Sequence, residues 1–175
     1  IDLQRFEEVV QHTHMQRDTT TSKIAYLRHP FVYLVEAADD ICYRIIDMED
    51  AHRIGIMSTT EVSDAFLGVI ADLDGDTSKV KKTLKGLVDA NEKIAYLRAK
   101  TISTMVNSAS RSFMENADDI LQGQFTKTLI DDAVSQSHNL REVNRISVEK
   151  IYDHHSVIQV EIAGYKVLSE ILDIY

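Results

Sequence analysis

Residues 31–53 read FVYLVEAADDICYRIIDMEDAHR, and this stretch decides the fold class. It contains no Gly or Pro, and its apolar residues recur at spacings of three and four, the period of an α-helix with one buried face. Pro30 precedes it, where a proline is tolerated because first-turn amides have no intrahelical partner. We therefore predict a helix from Phe31 to about Arg53 that buries seven residues: Leu34, Ala37, Ala38, Ile41, Cys42, Ile45 and Met48.

Capping and chain-breaking residues predict further helices on the C-terminal side. The sequence STTE at residues 58–61 has the form of a capping box, so a second helix begins there. DLDGD at 72–76 ends it, and Gly123 ends a later helical region. The remaining predicted helices are a lysine-rich one near 79–85 and others over about 90–116, 129–134, 140–153 and 156 to the terminus. We predict one all-α region over residues 1–175, with Phe66, Phe113 and Phe125 in its core.

The composition agrees with an all-α globular chain. Of 175 residues, 44% are hydrophobic and 27% charged, with only six Gly and one Pro for tight turns. The lone cysteine, Cys42, has no partner for a disulfide, so we expect a cytoplasmic protein. No apolar run approaches the roughly 20 residues that span a bilayer, so no membrane association is expected. The net charge of -9 disfavours a nucleic-acid backbone as the main ligand.

Three polar residues share one side of the first predicted helix. At about 100° per residue, Asp39, Tyr43 and Asp47 lie about 40° apart from one to the next, so two carboxylates flank a phenol over nearly three turns. Burying such carboxylates is costly unless they are hydrogen-bonded or bound to a cation. A solvated acidic face accounts for the same pattern, and spacing alone leaves both explanations open.

A long motif carries a family resemblance. Residues 28–43, RHPFVYLVEAADDICY, continued by DMEDA at 47–51, closely resemble the deoxyguanosine triphosphate triphosphohydrolases of the HD superfamily. Weaker similarity continues through RAKTI at 98–102 and EIAGYKVL at 161–168. The resemblance implies the C-terminal part of a helical HD-superfamily phosphohydrolase. Such an enzyme converts dGTP or another dNTP to the deoxynucleoside and tripolyphosphate.

The resemblance also implies roles for the acidic stripe. Asp39 would be the last ligand of a divalent metal ion such as Mg or Mn, with Asp40 the next candidate if the register is off by one. Tyr43 would lie against the deoxyribose, and Asp47 would accept a hydrogen bond from its 3′-hydroxyl. Family members are homo-oligomers, often hexamers, so we expect a homo-oligomer, with nucleic acid only as an effector.

The chain departs from the family pattern at the other metal ligands. The family supplies a His and a later His-Asp dipeptide, and this sequence contains no His-Asp pair. It also begins Ile1-Asp2-Leu3-Gln4 without an initiator Met. We therefore expect a piece of a longer enzyme, inactive by itself, in which no residue of this chain is assigned a catalytic role.

Two other functions remain open. One is a non-catalytic helical module for regulation or oligomerisation, in which Asp39 and Asp47 only form ion pairs. The other is a phosphodiesterase or nucleotidase of the same superfamily, which would not need Tyr43 and Asp47 to contact a deoxyribose. Nucleophilic catalysis finds no support, because Ser147 lacks a base and an orienting acid at a recognisable spacing. We read the lysine face formed by Lys79, Lys82 and Lys85 as solvated.

Overall fold

A computed structural model describes residues 2–174 and contains only helices as regular elements there. The predicted all-α class is confirmed. A single antiparallel bridge joins Arg17 to Tyr26 in the segment between the first two helices. The elements are α1 (Leu3–Thr13), α2 (Pro30–Arg53), α3 (Thr59–Asp74), α4 (Ser78–Gly86), α5 (Ala90–Glu115), α6 (Ala117–Leu121), α7 (Leu129–Gln136), α8 (His138–Ile146), a π-helical segment (Ser147–Tyr152) and α9 (His155–Ile174).

The predicted helix over 31–53 is α2, but its buried stripe is rotated from the predicted one. The buried apolar residues are Tyr33, Ala37, Ile41, Ile45, Met48 and Ala51. Leu34, Ala38 and Cys42 were predicted to be buried and are exposed instead. In the observed orientation the ring of Tyr33 enters the core, where its hydroxyl donates to the backbone oxygen of Phe125 at 2.6 Å.

Helices α3 and α5 pack against each other, and both contact α2, so the core lies between these three helices and α7 and α8. The predicted capping box is confirmed, because the Ser58 and Glu61 side chains each bond the other's backbone N–H. Phe66 and Phe125 are buried as predicted, and Phe113 packs half-buried against the core. Gly123 has a φ of 69°, and a Cβ there would lie 2.5 Å from Leu27, which explains a glycine at this position.

One carboxylate lies inside the core. Glu49 of α2 is 3% exposed, and its Oε2 accepts from the Arg98 guanidinium of α5 at 2.7 Å. Its Oε1 accepts from Arg53 at 3.2 Å. A buried carboxylate is strongly unfavourable without such partners. The pair therefore fixes α2 against α5, the longest helix of the fold.

The C-terminal part differs from the sequence prediction at one helix. The predicted helix over 140–153 is divided into α8 and the π-helical segment, in which hydrogen bonds run from i to i+5. The last helix is confirmed as far as Ile174, and Tyr175 lies outside the described residues. None of the residues of α9 is buried, although it is rich in Val, Ile and Leu. Within residues 2–174, no helix combines the length and apolar character needed to cross a membrane.

The contacts of the Glu61 carboxylate should make the free energy of unfolding depend on pH. A hydrogen bond from Lys150 at 2.7 Å, together with bonds from Ser58, lowers the pKa of Glu61 to about 2 from 4.5. This stabilisation is complete above the unfolded-state pKa and is lost as the pH falls from 4.5 through 2. We expect Glu61→Gln to flatten that part of the pH dependence of the unfolding free energy, measured by chemical denaturation. Lys150→Met should flatten it too, and an unchanged slope in both variants would contradict the assignment.

Removing one member of the Glu49–Arg98 pair should destabilise the fold more than removing both. Arg98→Met leaves the buried carboxylate with Arg53 alone and should lower the unfolding free energy by about 3 kcal/mol. The double substitution Glu49→Leu with Arg98→Met removes both charges and should recover most of that loss. At the exposed pair of Arg145 and Glu142, Arg145→Met should have a much smaller effect, because water screens both charges there. A double variant no more stable than Arg98→Met would rule out an uncompensated charge as the cause.

Candidate functional site

The acidic stripe predicted from the sequence lies on the side of α2 that faces away from the core. Asp39 and Tyr43 are exposed, Tyr43 at 60%, and Asp47 is half-buried. Each step of four residues advances about 6 Å along a helix. The stripe therefore runs from an open carboxylate, past an open phenol ring, to a partly enclosed carboxylate.

The neighbouring carboxylates Asp39 and Asp40 have different environments. Asp40 pairs with the Arg44 guanidinium at 3.1 Å, one turn further along α2. Asp39 makes no hydrogen bond or ion pair to any residue between 2 and 174. Of these two adjacent acids, Asp39 is therefore the one whose oxygens are free for a ligand.

Asp47 is held by a residue that the sequence analysis did not single out. The Tyr152 hydroxyl, from the π-helical segment, donates to Asp47 Oδ2 at 2.7 Å. Burial raises the pKa of Asp47, the Tyr152 bond opposes this, and the charge of Asp50 adds to it. Burial and the bond to Asp47 also raise the pKa of Tyr152, so the phenol remains the donor.

A cleft of about 350 Å³ opens between α2 and the π-helical segment, beside Tyr43. Arg44 crosses it, and its Nε donates to Asn144 Oδ1 at 2.8 Å. Ser147 lines the cleft, and its buried hydroxyl has no hydrogen-bond partner in the described part of the chain. The cleft therefore adjoins the predicted substrate-contacting stripe at Tyr43.

The described residues do not form a complete metal site. No cluster of three or more His, Cys, Asp or Glu side chains suited to a metal occurs within residues 2–174. Asp39 has the right donor chemistry for a divalent cation, since such cations prefer carboxylate oxygens. One carboxylate is too few, so any metal bound here must take its other ligands from outside these residues.

Local sequence patterns locate α2 and its polar stripe, but not the contacts that reach the stripe from the C-terminal half. Tyr152 is 105 positions from Asp47, and Asn144 is 100 positions from Arg44. No local pattern links positions so far apart. The only available signal was that the predicted helix over 140–153 carries a Tyr and an Asn among its polar residues.

The structure thus defines an all-α protein whose central helix presents an acid-and-tyrosine stripe. Protein-family models give no match to the chain. A deoxyguanosinetriphosphate triphosphohydrolase-like protein of Synechocystis sp. is 34% identical over 151 residues, which are 86% of this chain and 32% of the relative. The deoxyguanosinetriphosphate triphosphohydrolase of Salmonella paratyphi A is 30% identical over 162 residues, 86% of this chain and 32% of the relative. The deoxyguanosinetriphosphate triphosphohydrolase of Yersinia pestis is 32% identical over 158 residues, which are 85% of this chain and 31% of the relative.

These comparisons confirm the predicted resemblance to deoxyguanosine triphosphate triphosphohydrolases. Over 86% of its length, this chain is related to proteins named deoxyguanosinetriphosphate triphosphohydrolase. The chain spans about a third of the length of the relatives it matches.

Proposed function

We propose that this chain is the C-terminal part of an HD-superfamily dNTP triphosphohydrolase and supplies its metal-ligating and sugar-contacting helix. The reaction would release a deoxynucleoside and tripolyphosphate. The observation that carries the proposal is the acid-and-tyrosine stripe of α2, within a chain related over 86% of its length to dGTP triphosphohydrolases.

Asp39 would be this chain's ligand to a divalent metal, with the other ligands supplied from outside residues 2–174. Its lack of any partner among those residues supports this role, as does the engagement of Asp40 with Arg44. A bound divalent cation would polarise a phosphate and lower the pKa of a bound water. Its charge would also offset the repulsion between a triphosphate and a chain of net charge -9.

Tyr43 and Asp47 would contact the deoxyribose and recognise it. The exposed ring of Tyr43 is available to lie against the C2′ side of the sugar, where an added 2′-hydroxyl would meet the phenol. Asp47 Oδ2 is occupied by Tyr152, which leaves Oδ1 for the 3′-hydroxyl. The half-buried position of Asp47 strengthens such a bond, because water competes less there.

Exposed apolar surface supports a larger assembly around this chain. Helix α9 buries none of its residues, and exposed apolar side chains there include Val160, Ile162, Leu168 and Leu172. On the outer side of α2, Phe31 and Val35 are about two-thirds exposed. A helix that is apolar on most of its sides is normally buried. These surfaces would pack against the rest of a longer protein and against copies of it in a homo-oligomer.

A non-catalytic helical module is the competing function. It would need Asp39 and Asp47 to serve only as ion-pair partners within the fold. Neither forms an ion pair with any residue from 2 to 174, and the names of the relatives do not favour such a role. The sequence of the full-length protein distinguishes the two functions, because only the enzyme requires a His and a His-Asp pair upstream of Ile1.

Loss of the metal ligand gives the first test. In the full-length protein, Asp39→Asn should abolish release of deoxynucleoside and tripolyphosphate and reduce the bound metal measured by elemental analysis. Asp40→Asn is the matched control and should retain both. If Asp40→Asn loses the metal while Asp39→Asn keeps it, the ligand is the neighbouring residue.

Sugar selectivity gives the second test. Asp47→Ala should leave the metal content intact and lower kcat/KM on a normal dNTP by about ten- to a hundredfold, the value of a charge-assisted hydrogen bond. A 3′-deoxy substrate never makes this bond, so the same substitution should barely change its turnover. Equal losses on both substrates would contradict a contact between Asp47 and the 3′-hydroxyl.

A further inference from the structure

Two residues of the sugar-contacting stripe meet the same side chain. The Tyr152 hydroxyl donates to Asp47 Oδ2 at 2.7 Å. The Tyr152 ring also lies against the Tyr43 ring, with centroids 5.8 Å apart and planes tilted by 48°. Tyr152 is half-buried and belongs to the π-helical segment, which contacts α2.

We propose that Tyr152 is a positioning residue, which holds Asp47 and Tyr43 in the arrangement that recognises a deoxyribose; this inference rests on the proposed function. A half-exposed aspartate otherwise samples several rotamers, and ordering it on ligand binding costs free energy. The hydrogen bond fixes one carboxylate oxygen, Oδ2, and leaves Oδ1 without a partner among residues 2–174. The ring contact restricts Tyr43 at the same time.

The distance between the rings excludes a different role for Tyr152. A planar base stacked between Tyr43 and Tyr152 would need about 7 Å between the rings, twice the usual contact distance of roughly 3.5 Å. The observed 5.8 Å leaves no room for it. In this arrangement Tyr152 contacts Asp47 and Tyr43 directly, and a base cannot stack between the two tyrosine rings.

The segment that carries Tyr152 is itself anchored to α2. The bond from Arg44 Nε to Asn144 Oδ1 joins α2 to α8 one turn before the π-helical segment begins. The wider i to i+5 turn then changes the angular position of the residues that follow it. Ile151 enters the core while Tyr152 reaches Asp47. Short π-helical turns of this kind are frequent at functional sites.

The first measurement follows the Asp47 carboxyl by NMR titration of the chain. Tyr152→Phe removes the hydroxyl and keeps the ring, so the pKa of Asp47 should rise further, because the Tyr152 bond lowers it. The charged group of α2 that raises it, Asp50, is unchanged. Tyr33→Phe is the matched control, since it removes another phenol bond from α2, 2.6 Å long and buried, outside the stripe. It should lower stability and leave the pKa of Asp47 unchanged.

The second measurement uses the full-length protein and compares a dNTP with its 3′-deoxy analogue. Tyr152→Phe should raise KM for the dNTP by roughly two- to tenfold, less than the loss in Asp47→Ala because the carboxylate itself remains, with little change in kcat or for the analogue. Tyr33→Phe should not alter this selectivity. An unchanged Asp47 pKa or unchanged selectivity in Tyr152→Phe would overturn the positioning role. A wild-type protein inactive on every dNTP would overturn the proposed function instead, while the titration still decides whether Tyr152 holds Asp47.

Discussion

The period of a single helix constrains most of this structure. Helix α2 must bury one side between α3, α5 and α7, and at 3.6 residues per turn that choice sets the direction of every other side chain on it. With Ile41 and Ile45 in the core, Asp39 and Tyr43 must face outward. The site therefore exists because the core is packed as it is, and a change in rotation of α2 would move both at once.

The buried Glu49 makes that rotation specific. A purely apolar stripe tolerates small rotations, since neighbouring apolar side chains can exchange places with little change in buried area. A carboxylate inside the core does not, because it must stay within hydrogen-bond distance of Arg98. The same helix thus uses one acid to fix its orientation and displays two others, Asp39 and Asp47, on the outer side.

The site is completed from a distant part of the sequence by the α8 and π-helical region. Arg44 and Asp47 on α2 receive Asn144 and Tyr152 as partners, and the cleft beside Tyr43 lies between the two elements. The carboxylates of Asp47 and Asp39 differ in their contacts, because Asp47 accepts a hydrogen bond from Tyr152 and Asp39 has no partner among residues 2–174. This difference suits the proposed roles, in which Asp47 binds a neutral hydroxyl and Asp39 binds a cation.

The sequence by itself determined the helical class, most helix boundaries and the position of the polar stripe. These features depend on local rules: apolar spacing, the capping box at Ser58 and Glu61, and glycine at chain reversals. Only the tertiary structure decided which residues of α2 are buried. Leu34, Ala38 and Cys42 were predicted to be buried and are exposed, whereas Tyr33 is buried. The tertiary structure alone joined Tyr152 to Asp47, because contacts between residues a hundred positions apart depend on how whole helices pack, which no local pattern encodes.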